Sequence, residues 1–292
     1  MQQLVNTTLS GLTLGMVYAA FALALVLIWR STRIVNFAQA PMAMATTFVA
    51  LVVIDAGHGY WLGFAAALVS GLLLGAVLER VVIRPVEGKS EINAVILTLG
   101  LFIVLHAVAA VAFGNRYRSF PAPFGLAGME VGGTTIALNG FGIFTICSVL
   151  VVMALLLALF RFTDVGLRMR AAALNQEVAR LLGVRVGHML TLGWALAAMV
   201  GSLAGLLIAG GSLVHPSFMD SVVVFGFVAA VLGGLDSPLG AVVGGLVLGL
   251  ALSFVSGYVG SQLVPLSALA ILMVVLTLRP GGLFAQAPER RV

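Results

Sequence analysis

Few side chains in this sequence could do chemistry, and their spacing excludes most of it. None of the four histidines, His58, His106, His188 and His215, has a Cys, His or carboxylate at metal-ligand spacing. No metal site and no catalytic residue is expected. Gly88-Lys89-Ser90 invites a phosphate-loop reading, but that motif needs a Gly five residues earlier, and Ile83 stands there. The stretch also follows an apolar run rather than a strand. No cofactor is therefore expected on the chain, and any ATP must be hydrolysed by a partner. Asp55, Asp220 and Asp236 fall at the edges of apolar runs, and Glu79 sits beside Arg80. Nothing resembles a buried coupling carboxylate, which argues against a carrier coupled to protons or sodium. His106 lies inside an apolar run with no acid near it in sequence. It reads as a neutral imidazole bonded to a neighbouring helix rather than a proton relay.

Neutral polar residues are more suggestive. Asn36, Gln39, Ala43, Thr46 and Thr47 fall at helical spacing on one side of an apolar run. Asn93, Leu97 and Gly100 do likewise in another, with Thr98 nearby. Asn36, Gln39, Thr46, Asn93 and Thr98 could line a path for a neutral or zwitterionic solute. The alternative is hydrogen bonding between helices, worth about 0.6 kcal/mol each. The two weigh evenly for Asn36 and Gln39, and the structural role is favoured for the threonines.

The segment 163–187 carries the clearest signal. It contains no Pro and reads as a short amphipathic helix capped by Thr163 or Asp164. Leu174, Val178, Leu181 and Leu182 form an apolar stripe, with Arg170, Glu177 and Arg180 away from it. Gly183 is the natural stop. Such a helix between two apolar runs can lie on anionic lipid or dock into a groove on a cytoplasmic partner.

The elements that must position these residues are membrane spans. Of 292 residues, 61% are hydrophobic and 9% charged, against roughly 25% charged in soluble domains. An apolar surface of that size belongs in a bilayer. Uninterrupted apolar runs predict spans near 8–29, 36–54, 61–83, 92–113, 138–160, 189–209, 238–256 and 260–278. The run 221–235 is short for a full crossing and could be re-entrant or broken. The expected fold class is an all-α polytopic bundle of 8–9 spans, a single transmembrane domain over 1–292. The amino-terminal Met1-Gln2-Gln3-Leu4-Val5-Asn6 lacks a basic signal region, so the first run should remain in the mature chain. The lone Cys147 excludes an intrachain disulfide.

The net charge of +5 would suggest nucleic acid on a soluble protein. Here Lys and Arg sit in the gaps between spans, and no nucleic-acid partner is expected. Counting 221–235 as a crossing, thirteen of the fifteen basic residues fall on one side, and Arg116 and Arg118 on the other. The rich side is cytoplasmic by the positive-inside rule, with the N-terminus outside and the C-terminus inside. The gap 114–137 is then external, and its Pro and Gly content suggests turns and a small hairpin. The gap 161–188 is cytoplasmic. Thirty-five glycines, with Gly-Leu-x-Leu-Gly at Gly11–Gly15, Gly71–Gly75 and Gly245–Gly249, point to close helix packing rather than to an ancient repeat.

Several stretches, in order, carry a resemblance. They are 15–23, Ile34-Val35-Asn36-Phe37-Ala38-Gln39, Glu79 through Pro85, Leu97-Thr98-Leu99-Gly100, 166–184, 227–234 and Ser237-Pro238-Leu239-Gly240-Ala241. Together the sequence resembles the LivH-like permease subunits of ABC importers for branched-chain amino acids. The resemblance implies ATPase coupling through Gly166, Arg168, Arg170, Asn175, Glu177, Ala179, Arg180 and Gly183. It implies two cytoplasmic ATP-binding subunits, a second permease (a LivM-like paralogue or a second copy), an external solute-binding protein and a bacterial inner-membrane location. Asn175-Gln176 stands where the family usually has Gln-Asp, and Gln39-Ala40 where it often has His-Gly. Such permeases also serve urea, amides and aromatic acids. A stand-alone channel is a second reading, and a membrane-embedded enzyme ranks last for want of any catalytic cluster.

Overall fold

The computed structural model describes residues 1–86, 91–131, 133–279 and 281–284. Gly88-Lys89-Ser90 lies outside them, as do Arg290 and Arg291 of the tail. Among the described residues, eight helical stretches are long and apolar enough to cross a membrane: Gln2–Thr32, Gln39–His58, Tyr60–Val86, Ile92–Phe113, Gly140–Phe162, Val186–Ala209, Pro238–Val259 and Ser261–Leu278. The chain is an all-α, multi-pass membrane protein. We label the helices α1 (Gln2–Thr32), α2 (Gln39–Val53), α3 (Tyr60–Leu78), α4 (Glu91–Phe113), α5 (Gly140–Phe162), α6 (Asp164–Leu174), α7 (Gln176–Leu181), α8 (Val186–Ala209), α9 (Asp220–Gly233), α10 (Pro238–Phe254) and α11 (Val264–Leu278).

The spans match the apolar runs to within a few residues except at the start. Helix α1 begins six residues before its run, because Gln2, Gln3 and Asn6 are polar yet held. Gln2 Nε2 donates to Thr135 O, Gln3 Nε2 to Gly257 O, and Asn6 Oδ1 accepts from Ala137 N. Hydropathy cannot register a polar turn tethered to its neighbours.

Helices α1 and α8 form the centre. Of their most apolar windows 83% and 78% is buried, against 6% for α11 and 17% for α4 and α5. Glycines make that centre possible. Gly11 and Gly15 of α1 lie against Leu250, Leu246 and Gly245 of α10, and Gly249 sits on the backbone of Gly15. Side chains at these positions would drive the two backbones apart. Gly71 and Gly75 let α3 approach α8 in the same way, beside Ser202, Ala198 and Trp194. The Gly-Leu-x-Leu-Gly pattern is thus a packing device, as its spacing suggests.

The run 221–235 becomes α9, only fourteen residues long and thus about 21 Å, short of the ~30 Å core. It still runs between the two ends of the bundle. At its start, Asp220 meets His106 of α4. Beyond its end, Asp236 is paired with Arg33 after the last turn of α1, and Leu283 N donates to Leu232 O at 2.9 Å. The stretch 210–219 leads into it from α8, with Val214, Phe218 and Met219 buried. The start of α1 and the segment 281–284 after α11 therefore lie at opposite ends of the bundle.

The loop 114–137 holds the expected hairpin. Strand β2 (Gly128–Val131) pairs antiparallel with β3 (Thr134–Asn139). A further pairing was not foreseen: β1 (Arg118–Ser119) joins β4 (Leu213–Val214), tying this loop to the α8–α9 connection.

Candidate transport core and docking segment

Two sets of residues were singled out from sequence, and the fold treats them oppositely. Among the proposed path residues, Asn36, Gln39, Thr46 and Thr98 are buried. Asn36 Nδ2 donates to Gln39 Oε1 (3.1 Å), and Asn36 Oδ1 accepts from Ala38 N (3.0 Å), folding the turn that enters α2. Gln39 Nε2 reaches across to Ala197 O of α8 (3.1 Å). Gly201 makes room for it, since a Cβ there would run into the Gln39 amide. Thr98 Oγ1 lies 3.4 Å from Val35 O and 3.0 Å from Val95 O. This cluster joins α2, α4 and α8 and is hydrogen-bonded shut. Thr46 donates to Ala43 O of its own helix (2.9 Å). Asn93 does not join them: it lies on the exposed face of α4. Its helical phase relative to Thr98 turns it outward, so the two do not form one lining.

Two ionisable groups have partners that their positions in sequence do not show. Glu79 is buried, with 1% of its side chain exposed. Its partner is Arg84, not the adjacent Arg80: Arg84 Nε and Nη2 donate to Glu79 at 3.0 and 2.8 Å. The π-helical turn Glu79–Ile83 explains the pairing, because Arg84 N bonds to Glu79 O five residues back and brings i+5 onto one face. Arg84 Nη2 also donates to Gly187 O (2.7 Å) and Thr191 Oγ1 (2.6 Å), and Thr191 Oγ1 donates to Glu79 Oε2 (2.7 Å). This network pins the end of α3 to the start of α8. His106 also has an acid beside it: Nε2 lies 3.0 Å from Asp220 Oδ1 and Nδ1 2.9 Å from Phe102 O. No spacing in sequence reveals a contact between positions 114 residues apart.

The docking segment is built for exposure. It is not one helix but two. Thr163 caps α6 through Gly166 N (3.1 Å), and Asn175, in an extended conformation, caps α7 through Val178 N (3.0 Å). Asn stabilises a cap better than a helix interior, so the chain breaks there. Gly183, at φ +80°, ends α7 in a Schellman motif: Val184 N bonds to Ala179 O and Gly183 N to Arg180 O. Gly166 lies against the backbone of Leu159 and Phe160 and permits the tight α5–α6 turn. Ala179 is buried with Ala172, Val186 and Leu190, which fastens the segment to α8.

The eight residues that the resemblance singles out for coupling thus divide by placement. Gly166, Asn175, Ala179 and Gly183 shape the segment, while Arg168, Arg170, Glu177 and Arg180 are exposed. The apolar stripe is bare: Leu174 is 88% exposed and Leu181 87%, with Leu182 and Val178 also uncovered. A concavity of about 560 Å³ opens beside it, lined by Arg168, Leu182, Arg185 and His188.

Sequence reasoning missed two buried donors, Tyr60 Oη and Trp194 Nε1, which have no hydrogen-bond partner among the described residues. A buried unpaired donor costs about 1–3 kcal/mol. Nothing in their spacing marks them. Thr191 was missed as well; its role depends wholly on the Glu79–Arg84 pair. No group of three or more His, Cys, Asp or Glu able to hold a metal occurs among the described residues.

Comparison with known proteins agrees with this architecture. Residues 7–278 match the family described as branched-chain amino acid transport system, permease component. The chain is 28% identical to the high-affinity branched-chain amino acid transport system permease protein LivH of Escherichia coli K12, covering 100% of this chain and 97% of the relative. It is 27% identical to the corresponding BraD protein of Pseudomonas aeruginosa, covering 100% and 98%. Among solved structures, PsaBC from Streptococcus pneumoniae, in complex with Fab, shares the fold at TM-score 0.51 and 17% identity over 96% of this chain and 93% of that one. A match spanning nearly every helix, over a bundle with a bare segment at its basic end, places the chain in the family of branched-chain amino acid transport permease components.

Proposed function

We propose that this chain is the translocating subunit of an ATP-driven importer in a bacterial inner membrane, carrying branched-chain amino acids or a related small polar solute into the cytoplasm. The observation that carries the reading is the 161–188 segment, an apolar stripe flanked by exposed charges on a capped and anchored frame. Such a surface suits a groove on a soluble partner. ATP is then hydrolysed on two cytoplasmic subunits docked there, and this chain has no ATPase role. A second permease completes the path, and an external solute-binding protein delivers the solute. The sidedness rests on the arginines: Arg30, Arg33, Arg84 and those of 161–185 share one end of the bundle, which the positive-inside rule makes cytoplasmic.

The polar cluster at Asn36, Gln39 and Thr98 is read as a closed gate element between α2, α4 and α8, since its groups are satisfied within the protein. The test is uptake of labelled leucine into membrane vesicles containing the assembled transporter. Replacing both Glu177 and Arg180 by Ala should abolish ATP-dependent uptake while leaving the chain folded in the membrane. Uptake that persisted in vesicles lacking every ATP-binding subunit would sink the reading.

A further inference from the structure

An open groove of about 640 Å³ runs along the outside of the bundle between α1, α5 and α10. Its walls are apolar, with Leu150 and Leu157 of α5 and Val242 of α10 among them. Its mouth is ringed by Arg30 of α1, Arg161 of α5 and Arg170 of α6. The other arginines near this end show what an arginine serving the fold looks like. Arg33 is paired with Asp236, and Arg84 with Glu79. Among the described residues, Arg30, Arg161 and Arg170 form neither an ion pair nor a hydrogen bond through their guanidiniums. Arg161 rests only over the ring of its neighbour Phe162, 5.9 Å from the centroid. Arg30 feels two like charges, Arg33 and Arg170, and one carboxylate, Asp236. That carboxylate is already engaged by Arg33 and by Trp29 Nε1. Asp164, the first residue of α6, forms no ion pair among the described residues either.

The dimensions say what such a groove would hold. Leu150 lies about three turns, or about 16 Å, along α5 from Arg161. That is half of a ~30 Å hydrocarbon core, the depth of one leaflet. An apolar channel one leaflet deep, closed at the headgroup level by three unpaired guanidiniums, matches a lipid with a negative head. A free anion would use the arginines and leave the channel empty.

We propose that this groove binds an anionic phospholipid, its phosphate held by Arg30, Arg161 and Arg170 and an acyl chain laid along α5. The site depends on the membrane-spanning architecture and not on the transport reading. Because Arg170 belongs to α6, the headgroup would tether the docking segment to α1 and α5.

The experiment is native mass spectrometry of the full-length chain in mild detergent, with equal amounts of phosphatidylglycerol and phosphatidylcholine added. Phosphatidylglycerol should be retained in clear excess. Each interfacial Arg contributes about fivefold, so Arg30→Gln with Arg161→Gln should lower retention about 25-fold. Leu157→Trp keeps all three arginines but fills the groove, and should also displace the lipid; it decides the matter if the arginine variant fails to fold. Equal retention of both lipids would overturn the proposal. So would undiminished phosphatidylglycerol on folded variants, or a Leu150→Cys chain in a Cys147→Ser background that cross-links to a second copy through the groove.

Discussion

The polar cluster at the head of α2 and the apolar stripe of 161–188 are inversions of each other. Asn36 and Gln39 are polar groups hidden inside the bundle, each with a partner on the same chain. Leu174, Leu181 and Leu182 are apolar groups held out from it, with nothing among the described residues to cover them. The contrast separates what the fold needs from what it offers. A buried polar group without its partner costs stability, so its mutation should register in the isolated protein. An exposed leucine costs the fold little, so its mutation should register only when a partner is present. Substitutions can therefore break the comparison at either end.

The largest effect is expected at the buried end. Glu79→Ala removes the carboxylate that holds Arg84 and Thr191, leaving a guanidinium at the α3–α8 junction unpaired. Breaking a buried pair costs about 3–5 kcal/mol, and the third of the Arg84 side chain that remains exposed moves the expectation to the lower limit, about 3 kcal/mol. Thermal unfolding in detergent would read it. Thr191→Val should cost about 1 kcal/mol, one hydrogen bond's worth. If Glu79→Ala unfolded no more readily than wild type, the network would not be what pins α3 to α8.

Next is Gly201→Leu. A side chain at 201 enters the space of the Gln39 amide, and overpacking a dense interior costs about 1–3 kcal/mol. The cost should fall sharply in the background of Gln39→Ala, where the space is empty. A double-mutant cycle on unfolding midpoints measures that coupling. Additive costs would mean that Gly201 and Gln39 are not in contact, and the closed cluster would lose its α8 wall.

How far the sequence reveals this depends on the reach of each interaction. The spans are local: twenty consecutive apolar residues state their own structure, and the runs agree with the helices to a few residues except where Gln2, Gln3 and Asn6 are tethered from elsewhere. Caps are local too, so Thr163 and Gly183 were legible as helix boundaries. The break at Asn175 was less so, because an apolar stripe continues across it. Contacts between distant segments were not legible. Asp220 finds His106, and Thr191 finds Glu79, only because α9 and α8 return beside α4 and α3. The exposure of Asn93 was hidden for a similar reason. A helix's periodicity tells which residues share a face, but not which way that face turns.

The smallest effect on stability, and the sharpest test of the contrast, lies in the stripe. Leu181→Ser with Leu182→Ser alters two exposed positions beyond the buried Ala179 anchor and before the Gly183 stop, so neither the cap nor the contact with α8 changes. The unfolding midpoint should move by less than about 0.5 kcal/mol equivalent. Uptake in vesicles with the whole transporter should nevertheless fall to background, because the partner groove loses two apolar anchors, each worth about 1.5–3 kcal/mol when fully buried. Measuring both on one preparation distinguishes the cases. A stable chain without uptake makes the stripe a docking surface. A stable chain with full uptake means that the stripe only rests on lipid, and the link between ATP hydrolysis and this segment would pass through Glu177 and Arg180 alone.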